Sequence, residues 1–419
     1  MLTVLYQKRL RNCEAFLIFV CYLCSVYTFF ICISIEKLEN KNNTDILNTS
    51  IPNTSIANTF DYIIVGQGLA GSVLAYTLAE RGARLLLLDA ERENSASQVA
   101  AGIINPITGR NLVKTWLADE AIPSAISFYQ KISQALGVDL WKNQPINWII
   151  EDAKGWNDFQ ALSAKENTAK YVAEVSDNPL YSQYLHNAQG AAVFNHSGRV
   201  DLPVLVAAFR AYFSQNQTYK QDILYQQDVF DYDKLTLEEN QQTDYNISYK
   251  NHRAKAIIFC QGAVDGRENP YFSYLPFVPA KGEALTVHIK DNPLNNQLLK
   301  HKSLMLAPLG GDKYWLGASY LRDFLHDLPT TEEKTELLAQ FSTFWRGEYN
   351  VIEHQAAIRP TVRDRKPLLG RHPKHENIYI FNGMGAKGTY LAPYFAPIMA
   401  DFLLQGKDLP KDVDIRRCK

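Results

Sequence analysis

The chain has 419 residues, of which 46% are hydrophobic, enough for a sizeable core and a length suited to two or three domains of a globular enzyme. Lys and Arg number 43 against 44 Asp and Glu, so no basic excess is available to track a phosphate backbone, and nucleic acid is not expected as a main partner. Four of the six cysteines (Cys13, Cys21, Cys24 and Cys32) fall near the N-terminus. That is not a disulfide framework, and neither the cysteines nor the nine histidines have the spacing of a metal site. His372 and His375 read as decoration of a polar turn.

From Ala15 to Ile35 the chain carries no charge, and at helical rise this run is long enough to cross a bilayer core. Lys8, Arg9 and Arg11 precede it while Lys37 and Lys41 follow, a slight bias that keeps the N-terminus inside. The Asn- and Thr-rich stretch that follows reads as a disordered linker. Two readings of residues 1–58 stand. They are an anchor with its linker, which makes the membrane a partner through 15–35, or they come from an over-extended start, although no Met lies between Met1 and Met305. A nucleotide domain exported unfolded has to find its cofactor outside the cell, and no twin-arginine signal precedes the run, so the catalytic part is expected in the cytoplasm.

Asp61 to Val65 reads as a short strand, followed by the turn Gly66, Gln67, Gly68, Leu69, Ala70, Gly71 in G-x-G-x-x-G spacing. Gly66 permits a tight turn, Gly68 a close approach to pyrophosphate, and Gly71 the packing of helix on strand. The helix then faces the phosphates with its free N–H groups. After Gly82 a second apolar strand ends on Asp89, placed to accept hydrogen bonds from an adenosine ribose and to repel a 2′-phosphate, which disfavours NADP.

The next loop is rich in small side chains, and Ser97, Ala101, Gly102 and Ile103 are candidates to lie against a flat cofactor. Further on, AKAIIFCQGA runs from a strand into Gly262, and IYIFNGMGAKGTYLAP runs from a strand into Gly383, Gly385 and Gly388 before another helix at Thr389. Three strand-to-glycine junctions so widely spaced predict a nucleotide domain built discontinuously and interrupted by a second domain. The alternating runs ALTVHI and KYWLGASY read as strands of that second domain.

These motifs, together with AAGIINP, GRVDLPVLVAAF, PAKGEALTV and AAIRPTVRDRKPLLGRHP, resemble the FAD-dependent D-amino-acid oxidase family, and within it the glycine-oxidase-like branch, over residues 61–415. The resemblance implies an α/β fold, α+β overall. A discontinuous doubly wound FAD-binding Rossmann-type domain (59–135, 195–278 and 355–415) is interleaved with a mainly antiparallel-sheet substrate domain (136–194 and 279–354). It implies non-covalent FAD, with Asp89 at the adenosine end and Gly385 to Gly388 near the ring, where the helix from Thr389 aims its positive end.

Arg359 matches the arginine that family members use to clamp the substrate carboxylate, a task its paired donors suit. The alternative is a structural salt bridge, with Asp364 as partner. Met305 stands where glycine-oxidase-like members place a substrate-contacting tyrosine, which implies a more apolar pocket. Lys281 reads as a turn support or carboxylate partner, and Lys387 as a catalytic candidate. Trp315 replaces the oxygen-activating lysine of sarcosine-oxidase-like relatives, which puts efficient use of O₂ in doubt. The expected activity is oxidation of a C–N bond in a small amino acid or N-substituted glycine by hydride transfer to flavin N5, then imine hydrolysis, with O₂ or a quinone or carrier protein as acceptor. The rivals are a membrane-tethered flavin-binding or sensor module without turnover, and an oxidase acting on a modified tRNA base.

Overall fold

The computed structural model describes residues 59–418 except 110, 177, 216–222, 239–243 and 292. The apolar run 15–35, the linker and the four N-terminal cysteines lie outside the described residues. Among those described, no helix is long and apolar enough to cross a membrane, and no cluster of His, Cys, Asp or Glu has the makings of a metal site.

The first apolar run forms the strand Thr59–Val65, flanked by parallel partners Leu85–Asp89 on one side and His252–Phe259 on the other. Leu85 to Leu88 are fully buried, as expected of a strand covered on both faces. Ile223–Gln227 extends the parallel set beyond Leu85–Asp89, and Ile378–Asn382 pairs with the end of His252–Phe259. Short antiparallel strands Leu235–Leu237, Ile247–Tyr249 and Leu368–Arg371 complete an eight-stranded sheet. Helices Leu69–Ala79, Ala118–Leu136 and Gly388–Gln405 pack together against it, burying Val73, Leu74, Tyr129, Leu391 and Phe395 in one apolar cluster.

In this register Val65 lies beside Leu88 and Phe259, and Phe259 beside Ile380. The chain therefore leaves three parallel strands at one edge of the sheet, at Gly66, at Cys260 to Gly262, and at Asn382 to Gly385. Ligands of doubly wound sheets bind in the crevice at the carboxyl ends of such strands.

The second eight-stranded sheet runs in the order Asn350–Arg359, Ala280–His288, Lys313–Gly317, Leu304–Gly310, Leu298–His301, Ile146–Ile150, Gly190–Phe194, Val172–Ser176. All its pairings are antiparallel except that of Leu298–His301 with Ile146–Ile150. Both runs expected as strands, ALTVHI and KYWLG, belong to it. Its register aligns Ala284, Gly317, Met305, Lys300 and Trp148 in one row across the sheet. Ala284, Gly317 and Met305 of that row face a large cavity.

Candidate functional site

A cavity of about 510 Å³ lies between the glycine turns of the first sheet and the face of the second. Its wall includes Gly66, Gly68, Leu69, Ala70, Asp89, Ser97, Ala101, Gly102, Ile103, Gly262, Gly385, Gly388 and Thr389, together with Met305 and Arg359. Residues from chain positions more than 300 apart are thus brought to one hollow. Two predicted residues, Gly71 and Lys387, do not line it.

Gly71 has a structural task instead. A Cβ built there falls 1.8 Å from the Gly66 carbonyl oxygen, so only glycine lets the Leu69–Ala79 helix start this close to the preceding strand. Gly66 itself has φ +102°, and a Cβ there falls 2.6 Å from the Cys260 carbonyl oxygen, so the first two strand ends meet backbone to backbone. At the helix start, the Leu69 N–H donates to Ser97 Oγ at 2.9 Å. Ser97 thereby closes the small-residue loop over the turn, and Gly102 (φ +67°) fixes that loop's exit against the Val200 carbonyl.

Asp89 sits at the end of its strand and accepts from the backbone N–H of Gln67 at 2.6 Å and of Glu91 at 2.7 Å. Arg210 Nη2 is 3.5 Å from its other face, and Arg210 Nε donates to the Gln67 side chain at 3.0 Å. The same guanidinium pairs with Glu91 at 2.9 Å. Gln67 and Arg210 were not recognisable as site residues in the sequence. Arg210 lies on the helix Leu202–Gln215, far along the chain from Asp89, and no local pattern marks the contact.

Gly262 (φ +60°) and Gly385 (φ +55°) both have left-handed backbone at the cavity wall. A Cβ at Gly262 meets nothing within 4 Å, so the hollow in front of it is open. The helix Gly388–Gln405 begins at this wall without a side-chain cap, leaving its first N–H groups and the positive end of its dipole for a ligand. Tyr129, fully buried, donates to the Thr389 carbonyl at 2.5 Å and fixes that helix start. Glycine turns at the sheet edge, a carboxylate beside the first turn and a second uncapped helix start together fit an extended dinucleotide with a flat ring at its far end.

Arg359 ends the edge strand of the second sheet and lies over Gly282 of the neighbouring strand, where a Cβ falls 2.1 Å from Nη2. Nη2 donates to the Ser319 carbonyl at 3.1 Å, and the guanidinium lies 5.6 Å from the centre of the Tyr320 ring. Nη1 is buried with no hydrogen-bond partner. Burial lowers the guanidinium's pKa from its ordinary value, an effect that Tyr320 opposes, and an arginine stays charged regardless. The alternative partner Asp364 is bound instead to Arg417 at 3.0 Å. Met305 and Trp315 border the same space.

Lys281 pairs with the buried Glu283 at 2.8 Å and donates to the Leu328 carbonyl, the carboxylate-partner reading of this residue. Lys387 is half-buried, and its pKa is lowered by burial first and by Arg365 second, which places it on the Arg365 side. His372 departs from the polar-turn expectation. It is buried against Tyr271, Phe272 and Tyr274, and its Nδ1 accepts from the backbone of Lys374 and His375. It organises a turn from within instead of decorating its surface.

Fold and site together define a flavin-dependent oxidoreductase of the two-sheet type. A family model described as FAD dependent oxidoreductase (DAO) matches residues 61–402, and the chain belongs to that family. Its cofactor is FAD. The chain is 22% identical to a glycine oxidase of Bacillus licheniformis over 364 residues, covering 82% of this chain and 93% of that one. It is 23% identical to a tRNA 5-methylaminomethyl-2-thiouridine biosynthesis bifunctional protein of Idiomarina loihiensis, of which it spans 55%. The fold is similar to the crystal structure of glycine oxidase from Bacillus cereus (TM-score 0.68, 19% identity, 83% of this chain and 96% of that one). A similar likeness holds for iminodiacetate oxidase from Chelativorans (TM-score 0.68, 20% identity, 85% and 98%).

Proposed function

We propose that this enzyme oxidises the C–N bond of a small amino acid or N-substituted glycine, whose carboxylate is held by Arg359. The observation that carries the reading is the guanidinium on the cavity wall with Nη1 buried and unpartnered. A buried donor without an acceptor is costly, and a substrate carboxylate supplies the missing acceptor. Paired N–H donors also fix that carboxylate in plane, and with it the direction of the adjacent C–H. Met305 and Trp315 present apolar surface to the substrate's side chain.

FAD, when bound, accepts the hydride and leaves an imine that water hydrolyses. Gly66, Gly68 and Leu69 are the backbone positions for the pyrophosphate, Asp89 that for the ribose, and Gly262, Gly385, Gly388 and Thr389 those for the ring end. The cofactor is held without a covalent bond. Lys387 takes no part at the reacting atoms, because it stands off the cavity. The assignment of strands to the two sheets supports an FAD domain of 59–135, 195–278 and 355–415 and a substrate domain of 136–194 and 279–354. O₂ or a quinone or carrier protein takes up the electrons.

The test is anaerobic titration of the FAD-loaded protein with glycine, sarcosine, proline and D-amino acids, reading the visible flavin band. Bleaching by one of them is expected, and Arg359→Ala is expected to raise the concentration needed by about 10- to 100-fold. A flavin that no amine reduces points instead to a binding module without turnover.

A further inference from the structure

A smaller cavity of about 300 Å³ opens beside the first, and Tyr320 belongs to the walls of both. Its remaining polar lining is Arg322, Arg363, Arg365 and Thr361, with no Asp or Glu among the lining residues. All three arginines are exposed, and among the described residues none of them has an ion pair or a side-chain hydrogen bond with the protein. Asp364, between two of them in sequence, is turned away to Arg417 at 3.0 Å, and Asp323 does not line the hollow. Thr361 Oγ1 is buried without a hydrogen-bond partner. In a chain of formal net charge −1, three uncompensated guanidiniums and a spare hydroxyl around one hollow make an anion-binding site.

The hollow is linked to the amine site. The Arg359 guanidinium lies over the Tyr320 ring, and the Thr361 N–H donates to the Arg359 carbonyl at 2.8 Å. Tyr320 is 51% exposed, so a ligand reaches one cavity from the other by rounding the ring. We infer that the substrate carries a second anionic group, a carboxylate, and that Arg322, Arg363 and Arg365 receive it while Arg359 holds the first. The substrate class is thus an amino acid or N-substituted glycine that is dianionic apart from its amine. This inference rests on Arg359 as the carboxylate clamp. It also gives a place to Lys387, whose charge on the Arg365 side adds to the same field.

The experiment uses the full-length FAD-loaded protein and reads the perturbation of the visible flavin band by non-reacting acids. Succinate and glutarate are compared with butyrate and valerate, which have the same chain lengths and one charge fewer. The expected result is at least about tenfold tighter binding of each diacid, a preference that added salt erodes because the arginines are exposed. The double variant Arg363→Gln, Arg365→Gln is expected to remove the preference while butyrate and valerate affinities change less than about twofold. Arg322→Gln provides an independent reading of the same preference.

Equal binding of diacids and monoacids, with Arg359→Ala still weakening both, overturns the second-anion site and leaves the clamp standing. An Arg359→Ala variant that binds both classes like the parent removes the clamp, and this inference with it. Displacement of butyrate by inorganic phosphate or a nucleotide but not by succinate or glutarate assigns the arginines to a phosphate ligand and overturns the carboxylate proposal.

Discussion

The indole Nε1 of Trp315 donates to the carbonyl of Val99 at 2.9 Å. Trp315 belongs to the second sheet and Val99 to the small-residue loop that follows the first sheet's Asp89 strand, so one hydrogen bond ties the two sheets across the cavity. Replacing Trp315 by Phe keeps an aromatic ring and removes the donor. The expected outcome is a loss of about 1 kcal/mol in stability and several-fold weaker FAD binding, as the loop carrying Ser97 and Gly102 loosens. Thermal unfolding and flavin fluorescence measure both, and a variant with unchanged flavin affinity shows that the tie does not hold the loop.

Gly282 allows the substrate arginine to lie flat. A Cβ there falls within 2.1 to 2.4 Å of the Arg359 guanidinium atoms, and the guanidinium is the movable end of a long side chain. Gly282→Ala is therefore expected to displace the guanidinium and not the strand. Carboxylate binding weakens by about tenfold or more, while the melting temperature changes little. Loss of stability with intact carboxylate binding is the outcome that contradicts this.

Lys300 is 8% exposed, has no carboxylate partner, and is directly beside Met305 in the sheet register. Its ammonium lies 5.9 Å from the Trp148 ring centre, a contact that offsets part of the burial cost. Burial lowers its pKa to about 8. In the unfolded chain the group titrates near its ordinary value of about 10.4. Between these two values the unfolded chain keeps a proton that the folded one has released, so this group makes stability rise with pH from about 8 to about 10. Below pH 8 its cost is fully present. Lys300→Met is expected to stabilise the protein at pH 7 by about 1–3 kcal/mol and to flatten the rise. Melting curves at pH 7 and pH 10 give the answer, and a destabilised variant at pH 7 assigns the amine a favourable partner.

At Gly71 the clash is between backbones, with a Cβ 1.8 Å from the Gly66 carbonyl oxygen. No side chain is free to move aside. Gly71→Ala is expected to cost at least about 3 kcal/mol and to yield protein without flavin, whereas Gly82→Ala, where nothing lies within 4 Å, costs only the strain of its φ of +83°. Comparing the flavin content of the two purified variants separates a packing role from a general intolerance of side chains.

The glycine fingerprint, both flanking strands and the terminal Asp89 were legible because each depends on residues adjacent in sequence. Gly262 and Gly385 were legible for the same reason, as strand-to-glycine junctions. The contacts that complete the site were not. Arg210 joins Gln67 and Asp89 from a distant helix, and Trp315 reaches Val99 from the other sheet. His372 looked exposed among Arg371, Lys374 and His375, yet Tyr271, Phe272 and Tyr274 arrive from about a hundred residues earlier to cover it. Lys387 was placed near the ring by its glycine neighbours. On the helical turn Gly385–Lys387 successive side chains point in different directions, and its own leads away from the cavity.

The parallel strands around the cofactor edge come from positions 59–65, 252–259 and 378–382, and the helix Gly388–Gln405 packs on the helix Leu69–Ala79. Such distant pairings form late, since long loops must close before they are rewarded. During synthesis, a nascent chain that has not yet released its Gly388–Gln405 segment from the ribosome holds the glycine fingerprint without the ring-end wall. Premature termination or proteolysis near that segment therefore produces colourless protein, and the flavin absorbance of a preparation counts molecules whose two ends have found each other.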